Sequence, residues 1–478
     1  MPAVRIAVVG GGISGLAAAW ELTSQLARLA DPVEIILLEA SPATGGKLRT
    51  ATLAGQQIDV GAESVLARRP EALDLVGQAG LADRVVHPTA ATPSIWSRGR
   101  RWPLPPRTLM GIPSAPDTAR GLLTDAEVAR LESERALATP VDDVSVGDFV
   151  EARLGPAVVD RLVEPLLAGV YAGHARRLSL RATVPALWDA AQRGAGLVET
   201  AADVARRADL AAGGAPSPVF AGYRGGLGRL AADLAERLVE RGVRIQTSAT
   251  VREVVRTPTG WALVVGPTTE ARRLEVDAVV LALPPAPTAR LVREVAPHAS
   301  ADLAALEMAS VGIVTLALSR SELGRGLDGS GFLVPPTEAV SIKAATFSST
   351  KWQWVDHLDP ALVYLRASLG RAGESATLQR DDADLVAVVR QDLETVLGPL
   401  PSPVAAHVQR WGGGLPQYAV GHLDLAARTA SAFAGLPGLE VAGAAYDGVG
   451  VPACIASGRR AARSAATHVL SWRERLRE

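Results

Sequence analysis

The stretch that decides the fold is VRIAVVGGGISGLAAAWEL at residues 4–22, which contains the motif Gly10-Gly11-Gly12-Ile13-Ser14-Gly15. The run Val4–Val9 before the motif, apolar except for Arg5, is typical of a buried parallel strand. After it, residues 14 to about 29 are rich in Ala and Leu, which favours a helix. Residues 33–38 repeat the buried-strand pattern. These segments predict a βαβ unit at the start of the chain.

The glycines of the motif predict a site for the phosphates of a dinucleotide. Gly10 allows the tight turn, Gly12 lets the backbone approach a pyrophosphate, and Gly15 lets strand and helix pack closely. The phosphates then lie on free N–H groups at the helix N-terminus. Glu39 ends the second predicted strand, where a carboxylate binds ribose hydroxyls. The alternative is a glycine turn without a ligand.

Two further glycine-rich segments indicate FAD rather than NAD. Gly45-Gly46-Lys47 follows Glu39 after a short loop, and its cation would offset phosphate charge, although a solvated surface lysine is the alternative. Near the C-terminus, the glycines of residues 443–452 permit close backbone approach to an isoalloxazine ring. The helix predicted after Pro452 would favour negative charge on the flavin. A glycine-rich turn that packs on the first βαβ unit is the alternative there.

Composition excludes several classes of protein. The 478 residues include 49 basic and 50 acidic side chains, a balance that argues against a nucleic-acid-binding protein. The single cysteine excludes an internal disulfide and a Cys-based zinc or iron–sulfur site, and no HExxH motif is present, so no metal is predicted. Uncharged stretches of about 15 residues fall short of a membrane span. We therefore expect a cytoplasmic protein without a signal peptide.

Further along the chain, the sequence pattern predicts irregular segments, helices and strands. Residues 88–116 are rich in Pro and predict irregular structure, whereas residues 124–210 are mainly helical, beginning with a capped helix from Thr124 to about Leu137. Residues 211–217 are a predicted linker. Residues 311–369 predict an antiparallel sheet. Other predicted helices are 226–242, 382–397 and the tail from about Ile455, and other predicted strands are 243–247, 261–265 and 278–283.

The N-terminal motif resembles that of the flavin superfamily that includes amine oxidases, phytoene desaturases and protoporphyrinogen/coproporphyrinogen oxidases. Later stretches resemble the last group over nearly the whole chain, with a departure at Ala453, where an acidic residue is common. These stretches are Asp59-Val60-Gly61-Ala62-Glu63-Ser64, Ile342–Phe347 with Lys351-Trp352, Trp411, Leu415–Tyr418 with Gly421-His422, and Gly443–Pro452 with Cys454-Ile455 and Ser457-Gly458.

The resemblance implies an α/β (α+β) fold of the p-hydroxybenzoate hydroxylase/amine-oxidase-like type. A Rossmann-like FAD-binding domain is expected from the discontinuous segments 1–80, 226–285 and 436–478. A mixed-sheet substrate-binding domain is expected from 81–105, 215–225 and 286–435, and a helical domain from 106–214. The FAD-binding residues are expected to be Gly10, Gly11, Gly12, Ile13, Ser14, Gly15, Glu39, Ala40, Gly46, Lys47, Gly61, Ala62, Glu63, Ser64, Val251, Trp411, Gly443, Val449, Gly450 and Val451, although Val251 is also a plausible core valine.

The implied activity is the FAD-dependent oxidation of coproporphyrinogen III to coproporphyrin III in haem biosynthesis, with O₂ as acceptor and H₂O₂ as product. The flavin carries the redox chemistry, so no catalytic side chain is expected. Protoporphyrinogen IX is the alternative substrate. A flavin amine oxidase is a more distant alternative for the function, because such enzymes usually have Gly-Glu where this chain has Gly443-Ala444. A flavin-bearing scaffold without turnover is a third alternative. A ferrochelatase is a candidate downstream partner.

A porphyrinogen has an apolar macrocycle and carboxylate arms, so the substrate site should be apolar with a cationic rim. Arg107 and Lys343 are the leading rim candidates, and solvated or ion-paired surface cations are the alternative for each. Acidic residues in the helical segment disfavour anionic lipid, which predicts at most peripheral membrane contact. The remaining rim candidates are Arg68, Arg69, Arg177 and Arg181, and the candidate apolar lining residues, each of which could equally be core, are Tyr171 and Trp188.

Overall fold

The computed structural model describes residues 3–29, 31–136, 138–211, 218–324 and 326–477. The strands of the described residues are, in chain order, β1 (Val4–Val9), β2 (Val33–Leu38), β3 (Thr50–Leu53), β4 (Gln56–Asp59), β5 (Val65–Leu66), β6 (Val85–Val86), β7 (Pro93–Ser97), β8 (Arg100–Pro103), β9 (Thr108–Leu109), β10 (Ile112–Pro113), β11 (Phe220–Tyr223), β12 (Arg244–Gln246), β13 (Val251–Thr257), β14 (Gly260–Val265), β15 (Arg272–Val276), β16 (Ala278–Leu281), β17 (Met308–Ser319), β18 (Gly331–Leu333), β19 (Ile342–Thr346), β20 (Leu362–Leu369), β21 (Ala405–Pro416) and β22 (Leu439–Val441).

The α-helices of the same residues are α1 (Ile13–Gln25), α2 (Pro70–Gln78), α3 (Asp125–Glu132), α4 (Val146–Leu154), α5 (Pro156–Val158), α6 (Glu164–Tyr171), α7 (Leu180–Thr183), α8 (Pro185–Gln192), α9 (Leu197–Ala211), α10 (Leu227–Glu240), α11 (Pro285–Val292), α12 (Pro297–Ala305), α13 (Ser348–Lys351), α14 (Gln353–Asp356), α15 (Asp382–Leu397), α16 (His422–Ala434) and α17 (Val451–Arg477). A π-helical segment, Val159–Val163, joins α5 to α6.

A five-stranded parallel sheet unites segments that are distant in sequence. Its order is β12-β2-β1-β16-β22, which confirms the predicted βαβ unit and places β1 at the centre of the sheet. Helices α1 and α17 pack against each other beside this sheet. Their backbones approach so closely that a Cβ on Gly458 would lie 2.1 Å from the carbonyl oxygen of Ser14. The N- and C-terminal glycine motifs therefore lie in one unit.

A seven-stranded mixed sheet forms a second layer, in the order β21-β17-β20-β19-β18-β7-β8. One face is fully buried against α15 in a single hydrophobic cluster. Five positions on the opposite face of β18, β19 and β20 are only half-buried. Helix α6 contacts β18 and β19 on this side, and a Cβ on Gly169 of α6 would have Leu333 Cδ2 as its nearest atom, at 4.0 Å. We call these five half-buried positions the inner strip; it comprises Leu333, Ala344, Thr346, Arg366 and Ser368.

The segment from α3 to α9 is helical, as predicted, and has its own hydrophobic core. Helix α3 begins at Thr124, whose side chain and that of Glu127 form a capping box. The partly buried Leu333 and Val449 pack on this core. The helical segment thus contacts both the inner strip and the C-terminal glycine loop.

Three predicted elements differ in the structure. Residues 88–116 were predicted to be irregular, but they include the β7–β8 hairpin, because prolines are tolerated at the ends of strands near a sheet edge. Helix α3 ends at Glu132 rather than near Leu137, and the carboxylate of Glu134 instead accepts the N–H of Leu197 at the start of α9. The predicted antiparallel region 311–369 also contains two short helices, α13 and α14. The predicted linker at 211–217 lies almost wholly outside the described residues.

Among the described helices, none combines the length and the apolar character that crossing a bilayer requires.

Candidate functional site

The N-terminal glycine turn has an open side at the start of α1. Gly12 is the N-cap residue of α1, and no side chain caps this helix. A Cβ on Gly12 would meet nothing within 4 Å, whereas a Cβ on Gly10 would lie 2.5 Å from the carbonyl oxygen of Ala282 and one on Gly15 would lie 1.8 Å from that of Gly10. Gly10 and Gly15 are therefore required for packing, and Gly12 leaves room for a ligand.

The carboxylate of Glu39 lies on this turn. Its Oε2 accepts the N–H of Gly11 at 2.6 Å, and its Oε1 accepts the N–H of Ser41 at 2.8 Å. Glu39 and Ala40 follow directly after β2, at the carboxyl edge of the parallel sheet. The structure thus brings the predicted ribose-binding carboxylate to the glycine turn.

The second glycine segment lies against the first. Gly45 donates its N–H to the carbonyl oxygen of Gly11 at 2.8 Å, and a Cβ on Gly46 would lie 3.2 Å from Gly12 Cα. The Lys47 side chain is exposed and has no ion pair within the part of the chain that the structure describes. The surrounding protein nevertheless lowers the pKa of its ammonium group by desolvation. A cation that is open to solvent but surrounded by protein is the arrangement expected in a cleft.

The C-terminal glycine loop reaches the same region at the start of α17. Gly443 donates its N–H to Ser457 Oγ at 3.0 Å, which anchors the loop to the helix. Gly450, with φ of +106°, precedes the first residue of α17, and a Cβ there would meet nothing within 4 Å. Val449 and Val451 flank this open position. The loop therefore presents bare backbone and a helix N-terminus to free space.

The loop at residues 59–64 connects the cleft to the seven-stranded sheet. Glu63 accepts hydrogen bonds from Lys351 Nζ at 2.6 Å and Arg366 Nη1 at 3.4 Å. Burial alone would raise the pKa of Glu63, but the two cations bring it below its ordinary value. Trp411 Nε1 donates to the carbonyl oxygen of Val60 at 3.0 Å. The Glu63 carboxylate thus pairs with Lys351 of α13 and Arg366 of β20, which favours a role in fixing this loop.

These segments fit a flavin dinucleotide. An uncapped helix N-terminus and an unpaired lysine suit a pyrophosphate, and Glu39 suits a ribose. The open backbone at Gly450 suits a flat ring. Val251, at the start of β13, packs on a hydrophobic cluster that includes Val9 and Leu38. Its contact with the dinucleotide stays a prediction.

The predicted substrate cations are not brought together. Arg107 is in an exposed ion pair with Asp209, Arg177 pairs with Glu307 at 2.6 Å, and Arg68 is exposed. Lys343 alone is buried, on β19. Two of the weaker candidates also have partners, since Arg69 pairs with Glu71 and Arg181 lies 3.8 Å from Asp424.

Three residues that connect these elements were not among the site residues predicted from the sequence. Arg366 is the one charged residue of strand β20, a signal that could have singled it out. Arg371 lies buried just beyond the same strand. Tyr418 donates its hydroxyl to the carbonyl oxygen of Ala444 at 2.5 Å, and its ring lies 5.7 Å from that of Tyr171 on α6. Tyr171 is therefore a core residue that supports the C-terminal loop from the helical side.

Comparisons with known proteins agree with this arrangement. Residues 13–466 match the family described as flavin containing amine oxidoreductase. A coproporphyrinogen III oxidase of Mycobacterium bovis is 40% identical over 461 residues, which cover 96% of this chain and 96% of that protein. The protein of the same name from Bacillus subtilis is 30% identical and covers 98% and 99% of the two chains.

Solved structures show the same fold. A crystal structure from Exiguobacterium sp. 255-15, of a protein provisionally named a protoporphyrinogen oxidase, has a TM-score of 0.83 and 32% identity, covering 97% of this chain and 99% of that one. Cyclohexylamine oxidase from Brevibacterium oxydans has a TM-score of 0.67 at 17% identity, covering 98% and 100%, which shows a shared fold alone. The chain is therefore a flavin-dependent oxidoreductase that belongs to the flavin containing amine oxidoreductase family, within its group of coproporphyrinogen and protoporphyrinogen oxidases.

Proposed function

We propose that this chain binds FAD and oxidises coproporphyrinogen III to coproporphyrin III, with O₂ as electron acceptor and H₂O₂ as product. The observation that carries the proposal is the 40% identity, over 96% of the chain, to a protein named coproporphyrinogen III oxidase. The geometry supports it, because the half-buried inner strip begins beside the loop at Glu63 and extends beneath α6. This strip offers a macrocycle a wall in which Leu333 and Ala344 are apolar and Thr346 and Ser368 are small and polar.

In this proposal, FAD lies across the segments 1–80, 226–285 and 436–478. The N-terminus of α1 binds the pyrophosphate, Lys47 offsets its charge, and Glu39 orients the ribose. The N-terminus of α17 and the loop at Gly450 hold the isoalloxazine ring. The other predicted FAD-binding residues keep their assigned positions, with Glu63 acting through Lys351 and Arg366 rather than through direct contact.

The substrate would lie between the inner strip and the helical segment 106–214. When bound, FAD supplies the hydride acceptor. The protein supplies apolar contact, excludes water and orients the macrocycle. Apolar contact orients only the macrocycle, which the candidate substrates share. Selection among these substrates therefore depends on cations that bind their carboxylate arms.

Protoporphyrinogen IX is the second candidate substrate. The Exiguobacterium structure and a protein of Macaca fascicularis, 30% identical over 490 residues, carry names for that reaction. Coproporphyrinogen has four propionates and protoporphyrinogen has two. Two additional exposed ion pairs would contribute only about 0–1 kcal/mol each, so a sharp preference requires a desolvated cation.

The test is to measure kcat/KM for coproporphyrinogen III, protoporphyrinogen IX and a set of primary amines with the FAD-loaded protein. Porphyrin fluorescence and H₂O₂ release are recorded in one buffer. We expect faster turnover of coproporphyrinogen III and no H₂O₂ with amines. Faster turnover of protoporphyrinogen would assign the second candidate, and turnover of amines alone would refute both.

A further inference from the structure

An irregularity in the seven-stranded sheet places a lysine at one end of the inner strip. Along β19 and β20, Ile342 pairs with Leu369 and Ala344 with Ser368, so Lys343 stands in a bulge between two paired positions. Bulges redirect side chains and are frequent next to active sites. Lys343 is directly followed by Ala344 of the inner strip, yet its own side chain is only 5% exposed.

Arg371 lies beside this lysine. It follows β20 by two residues and is 4% exposed. Arg371 Nη2 donates to the carbonyl oxygen of Val334, the residue after Leu333 of the inner strip, at 3.0 Å. Lys343 Nζ donates to the carbonyl oxygen of Gly370 at 2.8 Å. We call Lys343 and Arg371 the interior cation pair.

The interior cation pair has two basic groups but only one neighbouring carboxylate among the described residues. Among the described residues, the carboxylate nearest to Arg371 is that of Glu374, 3.6 Å away and 43% exposed, and Arg371 Nε has no hydrogen-bond partner. Lys343 has no carboxylate partner in the same part of the chain. Buried charges without a counter-charge are unfavourable and are found where a ligand or a reaction needs them.

We propose that Lys343 and Arg371 form an interior carboxylate site that receives one propionate arm of the porphyrinogen at the end of the inner strip, where α6 packs on β18 and β19. A propionate there would supply the missing negative charge and accept hydrogen bonds from both cations. The inference rests on the proposed function, and it names the desolvated cations that a preference for coproporphyrinogen requires. The exposed cations Arg107 and Arg177 already pair with carboxylates, and water screens them.

The test measures binding of coproporphyrin III and of its tetramethyl ester to the FAD-loaded protein, in one detergent-containing buffer, by fluorescence quenching. The variants are Lys343→Met and Arg371→Met, which keep the side-chain length and remove the charge. The matched control is Arg320→Met, because Arg320 is an exposed cation of the same sheet layer that pairs with Asp356. The melting temperature of each variant is recorded.

We expect each interior variant to bind coproporphyrin III about 10- to 100-fold more weakly, the range of a charge-assisted hydrogen bond. Ester binding should be unchanged, and the control should match the wild type. The melting temperature of Lys343→Met should not fall, since replacing an unpaired buried charge by an apolar group is neutral or stabilising. Lys343→Met therefore still tests the proposal if Arg371→Met fails to fold.

Two results would overturn the inference while leaving the proposed function intact. In one, the wild type binds the acid but both variants bind it equally well. In the other, the variants lose acid and ester binding in parallel, which would indicate a change of cavity shape. A wild-type protein that binds neither porphyrin would refute the proposed function together with the site.

Discussion

Glu39 has two roles at the residue scale, because it supports the glycine turn as well as facing the proposed ribose. In the structure its two oxygens accept the N–H groups of Gly11 and Ser41. We predict that Glu39→Ala weakens FAD binding by about 10- to 150-fold, which corresponds to the ~1.5–3 kcal/mol of a charge-assisted hydrogen bond. Isothermal titration of the apoprotein with FAD measures this.

Glu34 provides a control on the same strand. Glu34 lies on β2, the strand that directly precedes Glu39. Its carboxylate pairs with Arg5 at 2.6 Å, away from the glycine motif. Glu34→Ala should leave FAD affinity unchanged. An equal loss of affinity in both variants would mean that β2, rather than the Glu39 carboxylate, is responsible.

Lys343 gives the protein a measurable pH dependence of stability. Burial, and then the charge of Arg371, lower the pKa of Lys343 from 10.5 to about 7, while Glu374 opposes this shift. Between these pH values the unfolded chain binds a proton at Lys343 that the folded chain does not. The free energy of unfolding therefore gains a contribution that rises with pH, by at most roughly 1.4 kcal/mol per pH unit.

The measurement is urea unfolding of wild type and Lys343→Met from pH 7 to pH 9.5. We predict that the wild type gains stability relative to the variant as pH rises through this range. Parallel curves would show that the lysine titrates at its ordinary pKa in the folded protein.

At the scale of elements, Glu63 joins a loop of the dinucleotide-binding layer to strand β20 and helix α13 of the other sheet layer. Its side chain is 13% exposed and interacts with two cations, Lys351 and Arg366. We predict that Glu63→Gln lowers the free energy of unfolding by about 2–4 kcal/mol, because it leaves both cations without a counter-charge. Glu71→Gln, which removes an exposed pair with Arg69, should change it by at most about 1 kcal/mol.

The contribution of Glu63 to the free energy of unfolding also depends on pH in a defined direction. The pKa of Glu63 is lowered in the folded state, so its stabilisation is present at neutral pH and is lost as pH falls below the ordinary range of a glutamate. Chemical unfolding at pH 7 and pH 3 should show the wild type approaching Glu63→Gln at the lower pH. A constant difference between the two proteins would contradict the assignment.

The elements differ in how far sequence could predict them. Four of the five parallel strands and α10 were predictable because their apolar pattern is local, whereas the short strand β22 was not predicted. The β7–β8 hairpin was not, since its position depends on a parallel pairing between Pro93–Ile95 and the distant strand β18. Arg371 was missed for the same reason: its burial results from packing of a loop, and nothing in its neighbouring sequence distinguishes it from a surface arginine.

At the scale of the whole molecule, the proposed FAD site couples the two ends of the chain. Helix α1 follows the first strand and α17 lies at the other end of the sequence, yet they pack side by side. Each begins next to a glycine, Gly12 or Gly450, at which a Cβ would meet nothing within 4 Å. A ligand that contacts both helix N-termini stabilises the shared unit rather than either segment alone. Free FAD at 100 times its Kd would add about 2.7 kcal/mol to the free energy of unfolding of that unit.

We therefore predict that adding FAD to the apoprotein slows amide hydrogen exchange in both β1 and α17, and raises the melting temperature of the transition that contains them. Strands β17 and β20 provide the internal control, because they lie in the other sheet and should change less. Hydrogen exchange with mass spectrometry, at FAD concentrations from zero to saturation, measures each region separately. Protection confined to β1 would mean that the N-terminal glycine turn binds the dinucleotide without the C-terminal loop, and the isoalloxazine ring would then have to lie elsewhere.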